Sequence, residues 1–361
     1  MSAVASDTIS VSARRHIPSL DGLRAASFLL VFLSHAGLGD LIPGGFGVTV
    51  FFFLSGFLIT TLMRSEFDRN GSVSLKHFWL RRVLRILPPF YLILVAGTAC
   101  TLIFAPRGEI DPAAVASQAL HFSNYRMIDH GAAGMVRGSG VYWSLAVEEH
   151  FYLIFPLVYV AMRRRKLSGR RQAAILWSIC GLVLAWRVLL TIGFHEPEAR
   201  TYFASDTRID SILFGSAAAV WYNPTADKWD ANEWRWKYAY VPLALLLLAV
   251  SFLYRDPVFR ETARYSLQGL ALAPLFVAAI RFPDWLPFRL LNRQPFTLIG
   301  TLSYSLYLLH DVVFEVLQRQ PARLGQFGQP LTAFAISLGL AWTIYVLVEK
   351  PCAALRRRLA D

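Results

Sequence analysis

About ten times along this chain, the sequence runs apolar for long enough, or nearly long enough, to cross a bilayer's hydrocarbon core as a helix of about 20 residues. The stretches are Ser27–Gly37, Phe46–Met63, Phe90–Phe104, Trp143–Met162, Ala173–Ile192, Ile209–Tyr222, Tyr238–Tyr254, Ser266–Ile280, Phe296–Leu317 and Leu331–Val348. The first and sixth are short and reach full length only if Arg24 and Arg208 are admitted to the span. In hydrocarbon every backbone polar group needs an internal partner, which leaves helices as the economical solution here. A water-soluble bundle would need polar faces that these stretches lack. Composition agrees: 55% of residues are hydrophobic and only 17% charged, against about 25% charged in soluble domains. The expected fold is all-α, a polytopic integral membrane protein of about ten transmembrane helices. No Gly/Ser linker or repeat divides the chain. The expected organisation is an N-terminal arm (1–19), one transmembrane domain (20–351) and a basic tail (352–361), with no fused soluble domain.

The formal net charge of +12 suggests nucleic acid until its distribution is followed. With the N-terminus inside, the clusters Arg64–Arg85, Arg163–Arg171, Lys228–Lys237, Arg281–Arg293 and Arg356–Arg358 all fall on the inner side. That places about 24 basic residues inside and about 9 outside, as the positive-inside rule requires. Both termini are therefore expected in the cytoplasm, in a multi-pass protein of the inner (cytoplasmic) membrane. The excess charge is read as topology and lipid attraction, and nucleic acid is excluded as a partner. Cys100, Cys180 and Cys352 show no metal or redox spacing, so no metal is expected. Arg14 and Arg15 before an apolar run resemble a cleavable signal, but Arg24 and His35 within that run speak for a retained first helix. The longest stretch between spans, about Pro106 to Tyr142, lies outside and is glycine-rich at its end (Gly131, Gly134, Gly138, Gly140). Loops of that length are usually functional or disordered.

Charges inside spans cost about 2.5–3.5 kcal/mol each on insertion scales and so ask for explanations. Arg24 and His35 share the first helix, about 16 Å apart along its axis. An imidazole is suited to take a proton from a hydroxyl, though it could equally satisfy an interhelical hydrogen bond. Arg24 could anchor the helix end or act in the site. Arg82 and Arg85 share a helix face and could hold phosphates by fork bonds, or merely anchor the third span. Glu148 and Glu149 point about 100° apart, so at most one faces a given site. An inward Glu could orient His35 or partner an arginine. Arg208 with Asp210 could be an internal ion pair, and Tyr304, Tyr307 and His310 could line a pocket.

Taken in order, these motifs resemble the acyltransferase-3 family of membrane O-acyltransferases. The resemblance lies in Ile17–Arg24 with His35, in Phe51-Phe52-Phe53-Leu54-Ser55-Gly56-Phe57, and in Arg82-Val83-Leu84-Arg85 before a proline. It continues in Trp143-Ser144-Leu145 leading to Glu148 and Phe151-Tyr152, and in Ser303-Tyr304 with His310. It spans about residues 16 to 351. It implies acyl-CoA, by default acetyl-CoA, bound from the cytoplasmic side as co-substrate, with no resident cofactor, and a sugar or cell-surface polysaccharide hydroxyl as acceptor. By position, His35 takes the catalytic histidine's role, Arg24 that of its first-helix partner, and Glu148 that of the fourth-span carboxylate. Arg82 and Arg85 take the paired-arginine role towards CoA. Ser55, Tyr304, His310 and Arg208 are candidates for the substrate pocket, and Arg24 or Ser55 could stabilise an oxyanion. Some members carry an extracytoplasmic hydrolase-like domain; without one, a separate partner would supply that route. The rival reading is a transporter or flippase for a polar or lipid-linked substrate, which would need no acyl-CoA.

Overall fold

The computed structural model describes residues 17–104, 109–227, 232–318 and 325–358, and these are helical with no strand among them. Most of the N-terminal arm and the last three residues of the tail fall outside the described residues. Ten long helices match the ten apolar stretches: α1 Pro18–Leu33, α2 Gly44–Asn70, α3 Leu75–Phe104, α4 Tyr142–Arg164, α5 Gly169–Val188, α6 Ser205–Val220, α7 Val241–Leu253, α8 Ala263–Arg281, α9 Gln294–Gln318 and α10 Gly325–Ile344. Wider turns extend four of them: Ser34–Leu38 after α1, Leu189–Gly193 after α5, Trp236–Tyr240 before α7 and Tyr345–Glu349 after α10.

Eight of the ten are long and apolar enough to cross a membrane, α7 by virtue of the turns before it, which make Glu233–Leu253 a span of 21 residues. The other two, α1 and α6, have 16 residues each, which at 1.5 Å per residue is about 24 Å, short of a full core of roughly 30 Å. Both are packed inside the protein. In α6 even Arg208, Asp210, Ser211 and Ser216 are buried. Their polar residues are therefore answered by protein, where a lipid-facing helix could not carry them.

Two close pairings organise the bundle. Along α2 and α6 the backbones nearly touch: a Cβ on Gly56 would lie 1.9 Å from the Ile212 carbonyl oxygen, and one on Gly215 the same distance from that of Phe53. Small residues permit this approach, and packing and polar contacts hold membrane helices together where hydrophobicity cannot. Along α1 and α9, Gly300 does the same against the Asp21 carbonyl, while fourteen residues further on His35 meets His310. The contacts advance together along α1 and α9, and along α2 and α6 they advance from Thr49 with Arg208 (3.2 Å) to Arg64 with the Ala219 carbonyl (3.1 Å), so α1 runs parallel to α9 and α2 parallel to α6. Strict alternation of ten spans demands this, since the partners are both odd or both even.

The long connection after α3 is folded. Asp111 caps a short helix, Pro112–Ala119, through Ala113 N–H (2.9 Å), and its other oxygen pairs with Arg126 (2.5 Å) on a second, Ser123–His130. Gln118, buried, donates to Ser139 (2.5 Å). Gly138, at φ 67°, lies where a Cβ would come within 2.4 Å of Val312 backbone atoms. Only glycine suits both the angle and the approach. The glycine-rich piece thus presses on α9 one turn from His310.

Candidate active site

Six of the predicted site residues converge on one cavity of about 340 Å³ among α1, α2, α3, α4 and α9. Arg24, Ser55, Arg82, Arg85, Glu148 and Tyr304 all line it. Its polar wall is Asp21, Arg24, Arg82, Arg85 and Glu148, and its apolar wall includes Phe51, Phe52, Leu54 and Leu58. Arg24 pairs with Asp21 one turn back (3.3 Å). The Arg82 guanidinium stands over the Phe78 and Tyr152 rings, 5.8 and 5.9 Å from their centroids. Its buried Nε–H finds no acceptor among the described residues. Arg85 is exposed and marks the mouth. Three guanidiniums facing one carboxylate and one ion-paired aspartate leave the cavity able to take an anion.

Glu148 neither orients His35 nor hydrogen-bonds an arginine. Its Oε2 accepts from the Tyr152 hydroxyl (2.9 Å), one turn on. That hydroxyl also lies 2.6 Å from Ser55 Oγ, and because its proton is committed to Glu148, Ser55 is the donor there. Ser55, Tyr152 and Glu148 thus form a chain linking α2 to α4, and the Ser55 hydroxyl is not available to an oxyanion. Tyr304 donates to the Ile86 carbonyl (2.9 Å), tying α9 to α3 at the turn that carries Arg82 and Arg85. Glu149 does not line the cavity, which favours Glu148 of the pair.

His35 and His310 form a separate constellation at the other end of α1. His35 Nδ1 lies 3.0 Å from His310 Nε2, and the rings stack at 12° with centroids 5.1 Å apart. His310 is buried, and its Nδ1 faces the Tyr307 and Leu306 carbonyls at 2.8 and 3.2 Å. Carbonyls only accept, so Nδ1 carries the His310 proton and Nε2 is its lone pair. His35 must then donate through Nδ1, which leaves its own Nε2 as a lone pair. Asp311 Oδ1, 3.6 Å from His35 Nδ1, is placed to stabilise the imidazolium once that nitrogen pair is charged. The His35 side chain remains 36% exposed, so it is reached from outside the protein as well as held from within. A lone pair held by a hydrogen-bonded partner is the arrangement of a general base.

Tyr307 joins the two constellations. It lines the cavity, its hydroxyl lies 2.7 Å from Ser144, and its ring centroid lies 5.8 Å from that of His310. The sequence placed it beside a pocket without a role; its position at i−3 from His310 is the signal. Arg24, about 16 Å along α1 from His35, is out of reach as His35's hydrogen-bond partner or as an oxyanion donor beside it. It belongs to the cavity.

Arg208 lies in neither place and is not paired with Asp210. Asp210 pairs with Arg187 at 2.7 Å, both fully buried, and Ser266 donates to the same carboxylate oxygen at 3.1 Å. Arg187, on α5, escaped sequence reading because it sits at the far end of an apolar stretch where an interfacial cation is ordinary. Arg208 is held among the rings of Tyr265, Tyr202, Phe52 and Trp143, 3.9–5.7 Å from their centroids. Its Nη2 donates to Thr49 (3.2 Å).

A polytopic helical protein with an arginine-lined cavity and an outward-tautomer histidine belongs, on direct comparison, to one class. The family model for the acyltransferase domain matches residues 17–348, and the chain belongs to that family. It is similar to the O-acetyltransferase OatA of Staphylococcus aureus, 32% identical over 313 residues, which cover 82% of this chain and 50% of the relative. It is also similar to the peptidoglycan O-acetyltransferase OatA of Listeria monocytogenes, 29% identical over 314 residues, 82% of this chain and 49% of the relative. The chain thus spans about half the length of these relatives. No solved structure matches it.

Proposed function

We propose that the protein is a membrane O-acetyltransferase that takes an acetyl group from acetyl-CoA on the cytoplasmic side and delivers it to a sugar hydroxyl of a cell-surface glycan, in the inner membrane, with both termini in the cytoplasm. The observation that carries this is the arrangement along α1, with a cation-lined cavity at one end and a histidine with a directed lone pair at the other. CoA phosphates bind at Arg82, Arg85 and Arg24, and the pantetheine arm carries the acetyl thioester along Phe51 and Leu54 towards Tyr307. His35 Nε2 takes the proton from the acceptor hydroxyl, and the oxygen attacks the thioester carbon. The C–S bond breaks, and the CoA thiolate leaves and is reprotonated from water, while His35 returns its proton to bulk. The glycan acceptor follows the relatives, one of which is described as acting on peptidoglycan. Transfer through a separate extracytoplasmic partner uses the same first half.

The test is release of CoA thiol by purified protein given acetyl-CoA and glycan oligosaccharides. Acceptor-dependent release that vanishes in His35→Ala, with normal membrane insertion, is the expected result. Acceptor movement across vesicles with no thiol released would establish a transporter instead.

A further inference from the structure

A second cavity, of about 530 Å³, opens on the His35 side of the bundle, between the ends of α1 and α2 and the α7–α8 connection. Ser34, Gly39 and Asp40, which bracket His35, form part of its rim. Tyr202 and Tyr265 put aromatic rings in its wall, that of Tyr265 with the Arg264 guanidinium 4.9 Å from its centroid, and Gln268 is a buried amide beside them. Aromatic faces with a few convergent polar groups are what a polyhydroxylated ring requires.

Its arginines distinguish it. Arg255, Arg260 and Arg264 all line this cavity. Several other arginines are matched: Arg64 with Asp227, Arg81 with Glu66, Arg126 with Asp111, Arg163 with Asp68, Arg187 with Asp210 and Arg200 with Asp206. None of the three pairs with a carboxylate among the described residues, although Asp40 and Glu198 share the same wall. Arg264 is engaged by the Tyr265 hydroxyl (2.9 Å); Arg255 and Arg260 are uncommitted. Topology does not explain them. They sit within ten residues of chain on the side where the positive-inside rule thins basic residues. Behind the wall, Arg208 lies 3.9 Å from the Tyr265 ring centroid, fully buried. Its Nε–H and Nη1–H have no partner among the described residues. It adds a fourth positive charge at the cavity's back and fixes the ring.

We propose that this cavity is the acceptor subsite and that the sugar it takes carries an anionic group, held by the guanidiniums of Arg255 and Arg260. The inference rests on the acyl-transfer reading for why a glycan comes here, but the binding itself needs no chemistry. An anionic sugar seated in the cavity beside Tyr202 leaves it past the Ser34–Asp40 rim, which presents the next hydroxyl to His35. Charge selects the acceptor, and the apolar faces accept its ring.

The experiment is equilibrium binding to the full-length protein in detergent, with no acetyl-CoA present. Three probes are compared: an N-acetylglucosamine–N-acetylmuramic acid disaccharide, its carboxyl-reduced neutral form, and a phosphorylated N-acetylglucosamine disaccharide. The expected result is at least about tenfold tighter binding of an anionic probe than of the neutral one, one charge-assisted fork bond's worth. That preference should disappear in the R255Q/R260Q double variant while neutral-probe affinity and the thermal midpoint stay put. The order of the two anionic probes then says whether carboxylate or phosphate is recognised. Equal binding of all three probes, or a preference that survives in the double variant, overturns the proposal. Loss of acyl transfer with intact selective binding would fault the enzyme reading alone.

Discussion

His310 Nε2 accepts a hydrogen bond from His35 Nδ1 at 3.0 Å, and the Tyr307 carbonyl, 2.8 Å from His310 Nδ1, fixes which way that bond runs. The His35 Nε2 lone pair is therefore set by a backbone oxygen two steps away. His310 holds the tautomer and never needs to touch the acceptor.

His310→Ala removes the fixed acceptor and lets the His35 proton move to Nε2. The expected loss is roughly 10²-fold in kcat with little change in KM for acetyl-CoA, in the range of general-base contributions. Steady-state kinetics of thiol release checks it. A rise in KM with kcat preserved would make His310 a binding residue.

Arg82→Gln and Arg85→Gln each delete a guanidinium from the cavity. Loss of one charge-assisted bond costs about 1.5–3 kcal/mol, so KM for acetyl-CoA should rise roughly tenfold to a hundredfold with kcat less affected. Dephospho-CoA thioesters should lose less in these variants than acetyl-CoA does. Equal losses for both donors would put the arginines away from the phosphates.

His121, in the turn between the two short helices that follow α3, packs on Phe90 with ring centroids 4.7 Å apart. Burial, aided by His150, pushes its imidazole down to about 4. Below about pH 6.5 the unfolded loop takes up a proton that the folded loop refuses until about 4, so loop stability is full above 6.5 and falls as the pH drops towards 4. The loss is on the order of 3 kcal/mol at most. Amide protection over 112–130, corrected for the intrinsic slowing of exchange in acid, should fall between pH 7 and 5. His121→Asn, which tolerates the φ of 57°, should flatten that dependence. Unchanged protection in the wild type would remove His121 as its source.

What the sequence disclosed depends on the range of each interaction. Helix existence was legible because about 20 apolar residues have one solution in lipid, and the Arg82–Arg85 face because i,i+3 geometry is local. The grouping of Arg24, Arg82, Arg85 and Glu148 came from ordered motifs, since no periodicity links α1, α3 and α4. Partner choice was not legible. Asp210 stands two residues from Arg208 yet pairs with Arg187, twenty-three residues earlier, because neighbours two apart on a helix point about 200° apart. The Ser55–Tyr152–Glu148 chain likewise depends on how α2 meets α4.

Gly138 tests whether the connection between α3 and α4 positions the histidine pair. A Cβ there would meet Val312 N at 2.3 Å and strain a φ of 67°. Gly138→Ala must lift the loop from α9, displacing Asp311 beside His35. Activity should fall while donor binding in the distant cavity persists. The check is thiol release alongside acetyl-CoA binding. Wild-type turnover would show that the loop merely rests on α9.

The Arg187–Asp210 pair supplies the clearest stability test. Both side chains are fully buried, and Arg187 also donates to the Thr207 and Thr262 carbonyls and to Ser266. Arg187→Met leaves Asp210 charged and alone, which costs about 3–5 kcal/mol for a buried pair broken on one side. The double variant Arg187→Met, Asp210→Leu removes both charges and should recover most of that loss, because a well-packed apolar pair competes with a buried ion pair. Thermal midpoints in one detergent, taken as a double-mutant cycle, separate the cases. Additive losses would mean that Arg187 is held by its carbonyl partners and that the carboxylate contributes little. Strong recovery would establish the pair as the joint between α5 and α6, and through α6 the support of α2.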